Sequence, residues 1–174
     1  MSVQFARRQA EQLVESLNIT TPPVDVKRVA KKLGLPVVLY DLGEDVSGLL
    51  ISNGELSCIA VRKDDALVRR RFTIAHEIGH FLLQHQFEKG EHVHVDRGNF
   101  ISKRGLRATA GIDPKEIEAN HFAANLLMPA TLIRQAISEL KRGVLLDQHV
   151  QQLAKTFEVS EQAMTIRLDT LGLL

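Results

Sequence analysis

The chain has one cysteine, no tryptophan and one tyrosine, and aromatic residues make up only 5% of its 174 positions. A lone Cys58 excludes an intrachain disulfide and any cysteine-rich zinc site. No apolar run approaches the roughly 20 residues needed to span a bilayer. The stretch from Phe5 to Leu17 is broken by Arg7, Arg8, Gln9, Glu11, Gln12 and Glu15, so it does not read as a secretory signal. An excess of one charge is also missing: 22 Lys and Arg against 21 Asp and Glu leave a formal +1. That balance gives no electrostatic reason for direct nucleic-acid binding. No internal repeat or low-complexity tract is present. What these absences leave is a cytoplasmic protein of one domain, residues 1–174, long enough to build a core without staples.

What is present is His76-Glu77-Ile78-Gly79-His80, an H-E-x-x-H pattern inside the apolar run from Phe72 to Leu83. At about 100° per residue, positions i and i+4 of a helix lie roughly 40° apart and one turn along, so both imidazoles can converge on one metal ion. Glu77 points away from that axis but stays close enough to take a proton from a water that the metal activates, the arrangement of a zinc peptidase. Two histidines and a glutamate among Phe72, Ile74, Ala75, Ile78, Phe81, Leu82 and Leu83 each need a partner to offset desolvation, and a metal would provide one for both rings. The alternative is a buried helix with two hydrogen-bonded histidines. Gly79 costs about 1 kcal/mol relative to Ala inside a helix, which a close backbone approach there would explain. His85 falls on the far side of the helical wheel from the pair and reads as a surface residue.

A catalytic zinc (Zn2+) site needs a third protein ligand and an open position for water. Downstream, Asp113-Pro114 opens a helix and Pro129 closes it. Its wheel puts Ala119, Phe122, Ala123, Leu126 and Leu127 on one face and Glu118, His121 and Asn125 on the other. Glu116 and Asn120 break the pattern by sitting beside Ala123 and Leu127 on the apolar side, where a polar residue requires a specific partner. Glu116 is therefore read as the third ligand and Asn120 as the group that orients a ligating histidine. Asp113-x-x-Glu116 also fits a capping box. Glu118 is the rival ligand, at a wheel position that looks solvated.

The rest of the chain reads as helices near residues 4–17 and 24–33, then short strands near 36–41, 47–52 and 56–62 with Asn53-Gly54 as a hairpin turn. The H-E-x-x-H helix follows at 66–86. A long loop over 88–112 has room for a short strand near 92–96. Helices near 114–128, 130–142 and 147–157 and a last one after Ser160 complete the chain. The fold class is α+β, with a small antiparallel or mixed three-stranded sheet packed on the H-E-x-x-H helix. Residues 1–128 form the core carrying the sheet and that helix, and 130–174 a helical C-terminal part.

Arg71-Phe72-Thr73-Ile74-Ala75-His76-Glu77-Ile78-Gly79-His80, together with Glu116-x-x-Ala119-Asn120-x-Phe122-Ala123-Ala124-x-Leu126-Leu127-Met128-Pro129, resembles the ImmA/IrrE metallo-endopeptidases. Pro23-Val24-Asp25-Val26, Ser47-Gly48 and the closing segment from Phe157 to Gly172 extend the likeness over nearly the whole chain. The resemblance implies a zincin-like minimal metallopeptidase that cleaves or otherwise antagonises a helix-turn-helix transcriptional repressor encoded beside it. Such an anti-repressor acts in a mobile element, a stress-response locus or a toxin–antitoxin-like locus. His76, His80 and Glu116 fall on the family's metal-ligand positions and Glu77 on its general-base position. No residue stands out as the oxyanion donor among Tyr40, His92, His94 and His149.

Two other function classes bear on the same residues. Val150 to Leu168 has helix-turn-helix spacing, but its second helix carries Glu161 and Asp169 against one Arg167, a poor balance for DNA. A structural helix pair packed on the core, or touching the substrate, fits better. A non-catalytic adaptor using zinc only for stability would have no need of Glu77. For a peptidase, substrate is expected to add as an extended strand, with Ser57 to Arg62 as the template edge.

Overall fold

The computed structural model describes residues 2–52, 56–85, 93–96, 113–140 and 146–174. The Asn53-Gly54 turn, and residues 88–92 (His92 among them) and 97–112 of the long segment, lie outside the described residues. Elements follow in the order α1 (Val3–Ser16), α2 (Val26–Lys32), β1 (Val37–Tyr40), β2 (Gly48–Ser52), β3 (Ser57–Arg62), α3 (Leu67–Leu82), β4 (Val93–Asp96), α4 (Pro114–Leu127), α5 (Ala130–Glu139), α6 (Asp147–Phe157) and α7 (Glu161–Thr170). Side chains fix several helix starts. Ser2 accepts from the Phe5 amide, Asp25 from Arg28 and Ser160 from Ala163, each satisfying a donor the helix leaves orphaned.

The sheet is mixed and has the order β1-β3-β2-β4. β2 and β3 pair antiparallel, with Ser52 opposite Ser57, and β1 runs parallel to β3, with Val37 opposite Ile59. The short strand over 93–96 adds a fourth member by pairing antiparallel with β2, Gly48 opposite Asp96. This order corrects one expectation: residues 57–62 are paired on both sides, so they offer no free edge to a substrate. The strands at the ends of the described sheet are β1 and β4.

Helix α3 lies on β2 and β3 and crosses α4 at close range. Gly79 explains the crossing, because a β-carbon there would sit 3.1 Å from Phe122 Cδ1 and 3.3 Å from the Ala119 Cα. The close approach foreseen at Gly79 is therefore with α4. One core of Leu50, Ile59, Val61, Ile74, Ile78, Phe122 and Leu126 continues into Leu153, Phe157, Met164 and Leu168 of the C-terminal helices. Two buried arginines tie those helices down. Arg71 of α3 donates to the carbonyls of Val24, Phe157 and Glu158, and Arg167 of α7 donates to the Met128 carbonyl and to Asn125 Oδ1.

Helices α1, α2, α3, α6 and α7 end alike. A left-handed residue (Asn18, Gly34, Gln84, Glu158 or Gly172) follows the last turn. The next amide then reaches back five residues: Ile19 to Val14, Leu35 to Ala30, His85 to His80, Val159 to Ala154 and Leu173 to Leu168. In this closure the residue after the left-handed one usually makes an apolar contact with the residue its amide binds.

Candidate metal centre

His76, Glu77 and His80 project from the middle of α3 and are all buried, at 1%, 0% and 2% exposure. Helical periodicity stacks the two imidazoles one turn apart, and their Nε2 atoms lie 3.0 Å from each other. The carboxylate of Glu116, from the first turn of α4, completes the group at 3.3 Å from His76 Nε2 and 3.2 Å from His80 Nε2. Asp113 caps α4 by accepting from the Lys115 amide. The Glu116 carboxylate is thus directed at the histidines, which favours the ligand reading over the capping box.

The three donors fit zinc. Zinc bonds of about 2.0–2.1 Å place tetrahedral ligands about 3.3–3.4 Å apart, close to the separations above. The other ring nitrogens are used in a consistent way. His76 Nδ1 lies 3.0 Å from Asn120 Oδ1, the position predicted for an orienting group. With that oxygen accepting, Nδ1 carries the proton and Nε2 keeps its lone pair for a metal. Phe72, one turn earlier on α3, stacks on the His76 ring.

The sequence profile of the Peptidase M78 family, the IrrE N-terminal-like domain, matches residues 30–169. The chain belongs to that family. A metallopeptidase-type enzyme is what the family indicates, and the resemblance read from the two motifs holds. No curated protein matches the chain in sequence. Its fold is similar to a solved Mycobacterium tuberculosis transcriptional regulator, with a TM-score of 0.61 at 15% identity. That match covers 96% of this chain but 47% of the regulator, so the chain spans about half that protein's length.

Two residues of this M78 domain sit where the sequence did not put them. His85 is buried at 9% exposure, with Nδ1 3.0 Å from His80 Nδ1. Its Nε2 is 3.0 Å from Glu118 Oε2, and Glu118 is only 5% exposed. Neither residue belongs to the surface. The wheel failed for His85 because α3 stops at Leu82 and the left-handed Gln84 turns the chain back beneath His80. It failed for Glu118 because the turned-back His85 meets its carboxylate, and His121 and Asn125 are buried as well, Asn125 against Arg167 of α7. Burial lowers the pKa of His85, against the pull of Glu118. Burial takes His121 down to about 4, with Arg7 and Arg167 adding to the shift.

In the sequence Gly48 stood out only as part of the Ser47-Gly48 likeness. A β-carbon there would meet Thr73 Cγ2 at 2.2 Å and Glu77 Oε1 at 3.3 Å, so glycine lets β2 press against the candidate base. A cavity lined in part by Phe72, Asn120, His121, Met128, Ile166 and Arg167 includes the two residues that contact His76, Phe72 and Asn120. Of the suggested oxyanion donors, Tyr40 lies on β1, two strands from Gly48, and His149 accepts from the Leu146 amide at the start of α6. Neither adjoins Glu77.

Proposed function

We propose that this M78 domain is a zinc-dependent endopeptidase whose substrate is a helix-turn-helix repressor. The observation that carries the proposal is the convergence of His76 Nε2, His80 Nε2 and the Glu116 carboxylate to within 3.3 Å of one another. Those three residues would hold the metal. Zinc bound there supplies Lewis acidity, acidifying water and polarising the scissile carbonyl. Glu77 accepts the proton of the attacking water and returns it to the leaving nitrogen, and its burial beside Gly48 keeps the carboxylate in place for both transfers. Asn120 holds His76 in the tautomer that leaves Nε2 available.

In this reading the substrate enters as an extended strand along β4, the strand next to β2 and Gly48, and an apolar side chain beside the scissile bond enters the Phe72 cavity. Residues 1–174 act as one unit, with the core over 1–128 and the helices of 130–174 docked on it by Arg71 and Arg167. The repressor as substrate is supported by the family resemblance, and a regulator of transcription shares the fold. The site of action is the cytoplasm. Among the described residues no helix is long and apolar enough to cross a membrane. Direct DNA reading by α7 is disfavoured because Arg167 is 4% exposed and turned inward, while Glu161 and Asp169 face solvent.

The test is to mix the zinc-loaded protein with the helix-turn-helix protein encoded beside it and follow intact mass. Zinc-dependent fragments are expected, and Glu77→Gln should keep metal and fold while losing cleavage by orders of magnitude, since only proton transfer is removed. An uncut complex that still releases operator DNA would replace this reading with that of an adaptor. Salt-sensitive operator binding by the chain alone would replace it with that of a DNA reader.

A further inference from the structure

We propose that His85 and Glu118 are positioning residues that set the metal affinity of the site by holding His80 in the tautomer with its proton on Nδ1. The proposal rests on the zinc reading of His76, His80 and Glu116. Its geometry is a chain of two contacts, His80 Nδ1 to His85 Nδ1 and His85 Nε2 to Glu118 Oε2, each 3.0 Å long. Only one proton placement satisfies it from the carboxylate end with a neutral His85. The Glu118 carboxylate can only accept, so His85 Nε2 donates to it and His85 Nδ1 is left with a lone pair. That lone pair requires the proton of His80 on Nδ1, which frees His80 Nε2 to face Glu116 and His76. Each ring nitrogen then has one use, and the negative charge at the far end raises the donor strength of His80.

The position itself argues for a use. The other four helix ends that close with a left-handed residue place Ile19, Leu35, Val159 or Leu173 where α3 places His85. All four are apolar and pack on the core. At α3 the same step carries a buried imidazole, set against a second imidazole and a buried carboxylate. Burying three such groups where an aliphatic side chain serves elsewhere costs free energy unless they are coupled. The two metal histidines are consequently held differently: His76 by a neutral amide oxygen, His80 through a ring that ends on a carboxylate.

The experiment measures zinc affinity of chelator-stripped protein by competition with a chromophoric chelator, together with the visible absorption of the cobalt-substituted form. Wild type is expected to bind one zinc. Glu118→Ala and His85→Leu are expected to raise Kd by about 10- to 100-fold and to shift the cobalt bands, as removal of a ligand's orienting partner does. Glu118→Gln keeps the shape and an acceptor oxygen but not the charge, and should fall between wild type and Glu118→Ala. A residue with only a packing role would lower the melting temperature of the metal-free protein and leave Kd and the cobalt bands alone. That result overturns the proposal. If Glu118→Ala does not fold by circular dichroism, Glu118→Gln decides, and an unchanged Kd and spectrum in it overturns the proposal equally. Wild type that takes up no zinc would instead overturn the metal reading on which the proposal stands.

Discussion

At the end of α2 the chain runs Leu33-Gly34-Leu35, and at the end of α3 it runs Leu83-Gln84-His85. Both turns use a left-handed central residue and both return an amide to the carbonyl five residues earlier, Leu35 to Ala30 and His85 to His80. Leu35 is 1% exposed and adds to the core, whereas His85 meets His80 and Glu118. The same backbone device serves packing in one place and a candidate metal ligand in the other. Buried polarity alone does not mark the difference. Arg71 and Arg167 are buried too, yet their donors are spread over separate carbonyls, an amide oxygen and the Glu158 carboxylate, while the ring nitrogens of α3 and the Glu116 carboxylate are aimed at a common point. Convergence, not burial, separates a site from a clamp.

The comparison can be broken by exchanging the two turns. Leu35→His puts an imidazole at the end of α2 with no His80 or Glu118 opposite it. The loss of apolar burial together with an unsatisfied ring should lower stability by about 3 kcal/mol in denaturant titration. Zinc affinity should not change. A cost below about 1 kcal/mol would show that this step of the closure tolerates histidine anywhere, and would remove the argument that His85 is there for a purpose.

Two buried histidines sharpen the contrast through pH. His85 has Glu118 beside it, while the charges acting on His121 are the cations Arg7 and Arg167, and its pKa falls to about 4. The folded state therefore keeps His121 neutral over a range where the unfolded chain, with an ordinary pKa near 6.5, binds a proton. Between about pH 6.5 and 4 the unfolded state holds more protons, so stability falls as pH is lowered through that window and is fully present above it. At pH 5 the loss from this group should reach about 2 kcal/mol. His121→Gln removes it, so the difference between the two proteins' unfolding free energies at pH 7 and pH 5 isolates the residue. Equal pH dependence in the two would place the acid sensitivity elsewhere.

These contrasts also show what a sequence can disclose. The His76–His80 pair was legible because i and i+4 geometry is local to one helix, and Glu116 because it interrupts an apolar stripe. The ends of elements carried less. On a continued helix His85 would stand about 140° from His80, and nothing in Leu83-Gln84-His85 announces that a glutamine takes the left-handed position usually given to glycine. Glu118 was misread because its partner, His85, comes from the end of another helix 33 residues away in the chain. The order of the sheet was hidden for the same reason. The β2–β3 pairing follows from adjacency, but the parallel partnership of β1 with β3, which removes the supposed free edge, joins segments that local periodicity cannot connect.

The smallest expected effect tests the turn itself. Gln84 has φ of 50° and is exposed, so its side chain adds little packing while its β-carbon bears the cost of the left-handed region. Gly34 occupies the matching position of α2 at φ 75° without that cost. Gln84→Gly should therefore raise stability by about 0.5–1 kcal/mol, the relief of strain being partly offset by the greater freedom of glycine in the unfolded chain. For a chain of this size that is a gain of about 2 °C in Tm. Zinc affinity should stay at the wild-type value, because glycine keeps the closure and so keeps His85 beneath His80. Gln84→Val separates the two consequences. A β-branched residue resists the left-handed conformation more strongly, so the turn should open, stability should fall, and zinc affinity should fall with it. Loss of stability in Gln84→Val without loss of zinc affinity would mean that the turn secures the helix end but does not deliver His85 to the site.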